Sequence, residues 1–103
     1  MDIDKELRRA DRTGEVVLGS KKVLEAIKHG NAKLVLITPN CSDSTTLEIN
    51  QTTELGKIPT HMYNGTSEDL GLAFGKPFLV SAAAIIDPGN SQILQLGGTI
   101  SES

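Results

Sequence analysis

The sequence predicts an α/β protein, a three-layer α/β/α sandwich around a four-stranded mixed sheet. Three observations carry that prediction. Four short apolar runs of β character alternate with segments of helical character, in the order αβαβαβαβ. One of the runs, Leu34 to Ile37, is apolar at every position, as in a strand covered on both faces. The 103 residues suffice for one hydrophobic core and are too few for two. No repeat, linker or low-complexity segment divides them, so residues 1–103 are expected to form one domain, with a flexible tail from about residue 97.

The elements follow in order. Ile3, Leu7 and Ala10 recur at helical spacing, giving a helix that ends near Thr13-Gly14. Val16 to Leu18 is a short strand halted by Gly19. Ser20 is positioned to cap a helix with Val23, Leu24 and Ile27 on its apolar face, and Gly30 supplies the left-handed residue past its end. Leu34 to Ile37 forms the next strand, ended by Pro39. A helix from Asp43 to Leu55 is suggested by Leu47 and Leu55, two turns apart, although its threonines dilute helix propensity. Ile58 to Tyr63 is a short strand carrying Pro59, which places it at a sheet edge. Gly65 to Leu70 reads as a turn and an N-cap with acids in the first helical turn, and that helix ends by Gly75-Lys76-Pro77. Phe78 to Ile86 is the strongest strand, followed by the turn Asp87-Pro88-Gly89-Asn90. Ser91 to Leu96 is either a short helix or the return arm of a hairpin; the helix is the preferred reading.

Composition narrows the function classes. The longest uninterrupted apolar run, Ala82 to Ile86, is far short of the roughly 20 residues that span a bilayer. The acidic start has no apolar region of the kind a signal peptide needs, which predicts a cytoplasmic protein. A lone cysteine, Cys41, allows no internal disulfide and no C-x-x-C metal or redox motif. His29 and His61 have no metal-ligand spacing, and no close carboxylate pair is nominated for acid–base chemistry. Neither a catalytic residue nor a cofactor or metal is expected. The net charge of −3 argues at first against a nucleic-acid partner. Divided by region it says otherwise: residues 1–33 hold eight of the ten cations against six acids, and the rest hold two against seven.

Three stretches could carry chemistry. In Val17-Leu18-Gly19-Ser20-Lys21-Lys22 a strand stops at glycine and a helix begins with two lysines. Cations there oppose the helix dipole. Free amides at a helix start, two ammonium groups and a glycine make a phosphate site. An ordinary βα turn with solvated lysines is the other reading, and both stand open. No Walker-type or dinucleotide glycine motif is present. In Thr38-Pro39-Asn40-Cys41-Ser42, at the carboxyl end of a strand, the Asn40 amide suits a base edge or a sugar hydroxyl, or else forms a turn. Cys41 is read as an apolar filler, with nucleophilic catalysis as the alternative. In Gly75-Lys76-Pro77-Phe78-Leu79-Val80, Phe78 is either core or an apolar surface on which an unstacked base packs.

Taken together these phrases resemble a known family. The carriers are Gly14-Glu15-Val16-Val17-Leu18-Gly19-Ser20-Lys21-Lys22, Ala32 to Ile37 running on to Asn40, and Gly65-Thr66-Ser67-Glu68-Asp69-Leu70-Gly71. They continue with Gly75-Lys76-Pro77-Phe78, Val80-Ser81-Ala82 and Asp87 to Leu94. In this order, from Leu7 to about Leu96, the chain resembles the L-thirty-e branch of the L-seven-Ae/L-thirty-e kink-turn RNA-binding proteins. The resemblance implies a non-enzymatic constituent of the large ribosomal subunit that binds a kinked internal loop of 23S-type rRNA. It also implies neighbouring ribosomal proteins, no membrane partner, and a monomer when free. On that template Gly19, Ser20, Lys21 and Lys22 meet phosphates and bases, and Asn40 contacts a base. Phe78, Leu79 and Val80 line an apolar loop for a flipped-out nucleotide.

The L-seven-Ae relatives carry an Asn-Glu pair where Lys21-Lys22 stands here. Family members often carry a basic residue at Ser42 and tyrosines at Gln51 and Thr52. The alternatives are a kink-turn adaptor outside the ribosome, and a small phosphate- or nucleotide-binding enzyme built on Gly19, Ser20 and Cys41.

Overall fold

The structure, a computed structural model, describes residues 2–95. The expected flexibility of the tail from about residue 97 lies outside them. The first helix, α1 (Ile3–Thr13), is capped by Asp2, whose side chain accepts the Lys5 amide at 3.2 Å. Strand β1 (Glu15–Leu18) leads to helix α2 (Ser20–Lys28). Strand β2 (Leu34–Ile37) matches the apolar run to the residue. Helix α3 (Asp43–Gly56) is capped by Ser42 and ends on Lys57 in the left-handed conformation. Strand β3 (Thr60–Met62) starts just after Pro59, which cannot donate to the ladder. Helix α4 (Ser67–Ala73) begins in a capping box: the Thr66 hydroxyl accepts the Asp69 amide, and the Asp69 carboxylate accepts the Thr66 amide. Strand β4 (Ala82–Asp87) is the last strand among the described residues.

The four strands form one mixed sheet in the order β1-β4-β2-β3. β4 is antiparallel to both of its neighbours, and β3 is parallel to β2 at the edge. The two inner strands alternate strictly. Leu34, Leu36, Ala83 and Ile85 face one core with Leu7 and Ala10 of α1, Leu70 of α4, Phe74 at the C-cap of α4, and Ile93. Val35, Ile37, Ala82 and Ala84 face the other with Val23 and Ile27 of α2 and Ile49 of α3. The three-layer sandwich is therefore present, with α1 and α4 on one face and α2 and α3 on the other.

Three expectations need correction. The last strand does not start at Phe78: β1 ends at Leu18 opposite Ala83, and β2 ends at Ile37 opposite Ala82. Before Ala82 no strand remains for the chain to pair with, so residues 78–81 form a loop despite their apolar character. Ser20 is not the cap of α2; Gly19 takes that position at φ +101° and offers no side-chain acceptor. The hairpin alternative after Asn90 fails because both edges of β4 are already occupied by β1 and β2. Instead Ile93 is fully buried against α1 and α4. The Glu6 carboxylate holds this segment by accepting the Gln92 amide at 2.7 Å.

Candidate nucleic-acid interface

The topology brings the three sequence stretches to one end of the sheet. β1 and β2 finish there and β4 begins there, so the loops after Leu18, after Ile37 and before Ala82 lie side by side. Backbone bonds tie them together. The Gly19 amide donates to the Ala82 carbonyl at 2.9 Å, and the Thr38 amide donates to the Ser81 carbonyl at 3.0 Å. Buried Thr38 adds its hydroxyl to the same Ser81 oxygen at 3.4 Å.

Gly19, Ser20, Lys21 and Lys22 form the first part of this surface. The first backbone bond of α2 is that of the Val23 amide to the Gly19 carbonyl at 3.0 Å. The amides of Ser20, Lys21 and Lys22 have no acceptor among the described residues, as expected of an uncapped helix start. Both lysine side chains are exposed, and no acid stands in this first turn. Three free donors, two exposed cations and the positive end of a helix dipole are thus gathered at one helix start.

Asn40 is exposed and already employed. Its Nδ2 donates to the Ser67 hydroxyl at 3.2 Å, and its Oδ1 accepts the Ser67 amide at 3.1 Å. It thus clamps the loop after β2 onto the start of α4, keeping one N–H and one lone pair for a ligand. Ser67 was not singled out from the sequence. It is buried, and its carbonyl accepts the Val80 amide at 3.0 Å, so it joins the second loop to the third. Nothing in its local sequence distinguishes it from any other residue that starts a helix. Cys41 is a buried member of the α2–α3 core, which fits the filler reading. Ser42 spends its hydroxyl capping α3, and Thr52 bonds the Glu48 carbonyl at 2.7 Å.

Phe78, Leu79 and Val80 divide. Phe78 and Leu79 are 55% and 68% exposed, whereas Val80 is 2% exposed and packs with Leu70 and Phe74. Phe78 and Leu79, with Leu72, Glu68, Lys76 and Pro77, line an open cavity of about 300 Å³. Gly71 of α4 permits this: a Cβ there would stand 2.1 Å from the Phe78 carbonyl oxygen. Val80 supports the apolar loop from beneath and is not part of its exposed face. Beside the interface, the Tyr63 hydroxyl donates to Asp4 at 2.6 Å. Burial, that bond and the charges of Asp4 and Asp69 push the phenol well above its ordinary range. Burial alone pushes His61 on β3 down.

Residues 1–95 match the family described as "Ribosomal protein L7Ae/L30e/S12e/Gadd45 family". The chain belongs to this family. A protein named large ribosomal subunit protein eL30, from Methanococcus vannielii, is 45% identical over 96 residues, covering 93% of this chain and 91% of that one. The eL30 of Methanothermobacter thermautotrophicus is 43% identical over 98 residues, covering 95% and 100% respectively. A solved structure of a Bacillus halodurans protein of unknown function superposes with a TM-score of 0.82 at 23% identity, covering 92% of this chain and 94% of that chain. That likeness shows the shared L7Ae/L30e-type fold. The resemblance drawn from the sequence phrases holds at the level of the family, and the relatives reported are ribosomal proteins and not enzymes.

Proposed function

We propose that this L7Ae/L30e-family chain is a non-enzymatic constituent of the large ribosomal subunit, acting in the cytoplasm as one RNA-binding domain. Its partner is a sharply kinked internal loop of 23S-type rRNA. The observation that carries the reading is the gathering of three loops at one sheet end. There the free α2 amides with Lys21 and Lys22 lie on one side, and the exposed pair Phe78 and Leu79 on the other. The first group suits phosphates crowded by a bend, and the second suits a nucleotide turned out of its stack. Asn40, held by Ser67 at the same sheet end, presents its remaining donor and acceptor to a base edge. The names of the relatives support the ribosomal assignment. No cofactor is needed, the free protein is a monomer, and its protein neighbours are other ribosomal proteins.

Binding to an RNA with a kinked internal loop, compared with a fully paired duplex of equal length across a salt series, tests the reading. The loop RNA should bind more tightly at every salt concentration. Equal binding of the two would overturn it. Co-sedimentation with large subunits separates the ribosomal constituent from an adaptor that acts elsewhere.

A further inference from the structure

The outer face of α1 carries charge that the kinked loop does not use. At 3.6 residues per turn, Lys5, Arg8, Arg9 and Arg12 fall within about 100° of arc, opposite the stripe of Ile3, Leu7 and Ala10 that meets the core. Asp2 and Asp4, with Asp69, share a neighbouring cavity with Lys5 and Arg8, but among the described residues no acid lines the groove formed by the four cations, and each acid of α1 and its cap has another partner. Asp2 caps the helix, and Asp4 holds the Tyr63 hydroxyl at 2.6 Å. Glu6 is buried on the Gln92 amide, and Asp11 pairs with Lys76 at 3.2 Å. Arg9 leans on Glu6 at 3.4 Å. Lys5, Arg8 and Arg12 are exposed and have no ion pair among the described residues. The four cations and Thr13 line an open groove of about 380 Å³.

We propose that this groove is a second RNA-binding surface, taking the phosphate backbone of a fully paired RNA segment. From Lys5 to Arg12 the cations extend over about 10 Å of the helix axis at 1.5 Å per residue. Guanidinium forks match phosphate oxygens in pairs, and a cluster of four cations in one groove suits consecutive phosphates. No aromatic side chain lines the groove, whereas single strands are held by stacking platforms as well as charge. A duplex keeps its bases inside and offers only its backbone, which is what this face can hold. α1 covers the sheet face opposite α2, so the groove stands apart from Lys21 and Lys22. The surface goes beyond the kinked-loop reading and does not depend on it.

The test uses a fully paired RNA duplex without internal loops, the whole chain, and the triple variant K5Q/R8Q/R12Q. The substituted side chains are exposed, so the fold should persist, and R8K/R12K controls for shape while keeping charge. The triple variant should bind the duplex at least about tenfold more weakly at low salt, with the salt slope reduced by about 0.7–0.9 for each cation removed. R8K/R12K should keep most of the slope. Lys21→Ala should lower binding of the kinked-loop RNA and leave duplex binding unchanged. Unchanged duplex affinity and slope in the triple variant would overturn the proposal while leaving the kinked-loop reading intact. So would polyglutamate displacing the duplex as well as RNA of equal charge, which would mark a surface for acidic protein. If loop RNA binds no better than duplex but the triple variant still loses duplex binding, the kinked-loop reading fails and this surface stands.

Discussion

Asn40 and Ser67, 27 positions apart in the chain, hold each other through two hydrogen bonds, with the amide of Asn40 as acceptor for one and donor for the other. The pair fixes the loop after β2 to the start of α4, and through the Ser67 carbonyl to Val80. Asn40→Ala removes both bonds and should cost about 1–2 kcal/mol in urea unfolding. Asn40→Asp separates structure from recognition. A carboxylate still accepts the Ser67 amide and suits a helix N-terminus, so stability should change by less than about 0.5 kcal/mol. RNA affinity should nonetheless fall, because a negative charge now faces the phosphates. Retained affinity in Asn40→Asp would remove Asn40 from the interface.

Lys21 and Lys22 oppose the dipole of the helix they begin. Lys21→Ala should therefore raise folding stability, by about 0.3–1 kcal/mol at low salt. The same change should weaken binding to kinked RNA and reduce the slope of log affinity against log salt by about 1. Opposite signs in the two measurements are the mark of a residue kept for its ligand. A loss in both would assign Lys21 a structural role.

Phe78 and Val80 lie two positions apart and should answer in opposite ways. Phe78→Ala, at a side chain more than half exposed, should change stability by under about 1 kcal/mol and lower RNA affinity by about 1–3 kcal/mol. Val80→Ala opens a gap between α4 and the sheet and should cost roughly 1–3 kcal/mol in unfolding. RNA affinity corrected for the unfolded fraction should then change little.

Gly19 adopts φ +101° and ψ +140°, a conformation that L residues with a Cβ rarely enter. A Cβ there would touch nothing within 4 Å, so the cost of Gly19→Ala is backbone strain alone, of order 1–3 kcal/mol. If the chain relieves that strain by turning the loop, the free amides of Ser20 to Lys22 are re-aimed and RNA binding falls further than stability. A variant with unchanged stability would contradict the strained geometry.

His61 gives a pH signature. Burial holds its imidazole below the ordinary value of 6.5, so the folded protein favours the neutral ring. The unfolded chain takes up the proton first as pH falls, and stability should decline from about pH 6.5 downward, levelling below the folded-state value. Urea unfolding on either side of pH 6.5 should show this decline, and His61→Gln should flatten it.

Much of the fold was legible in the sequence because period and punctuation agree there. Leu34 to Ile37, bounded by Lys33 and Pro39, could be little other than a doubly covered strand. The turn and N-cap signal of Gly65 to Leu70, with acids in the first helical turn, announced α4. The start of β4 was misplaced because Phe78 and Leu79 carry the apolarity of a strand without a strand's partners. Pairing depends on where β1 and β2 end, and no local pattern in residues 78–81 records that. The exchange between Ser20 and Gly19 at the start of α2 has a similar cause, since a positive φ is a property of the path and not of the residue type alone. Ser67 was invisible for the plainest reason: both of its hydrogen bonds with Asn40, one through its hydroxyl and one through its amide, span 27 positions.

β4 is last in chain order and second in the sheet. A nascent chain that has emerged only as far as Pro77 already contains Gly19 to Lys22 and Asn40 but has no frame on which to set them side by side. β1 and β2 become part of one sheet only when Ala82 to Asp87 slide between them. The sheet end proposed to face RNA is therefore complete only once β4 is in place, and an RNA selecting that end would distinguish finished chains from unfinished ones. Bound RNA, in turn, would protect the whole sheet from unfolding and not merely the loops that it touches.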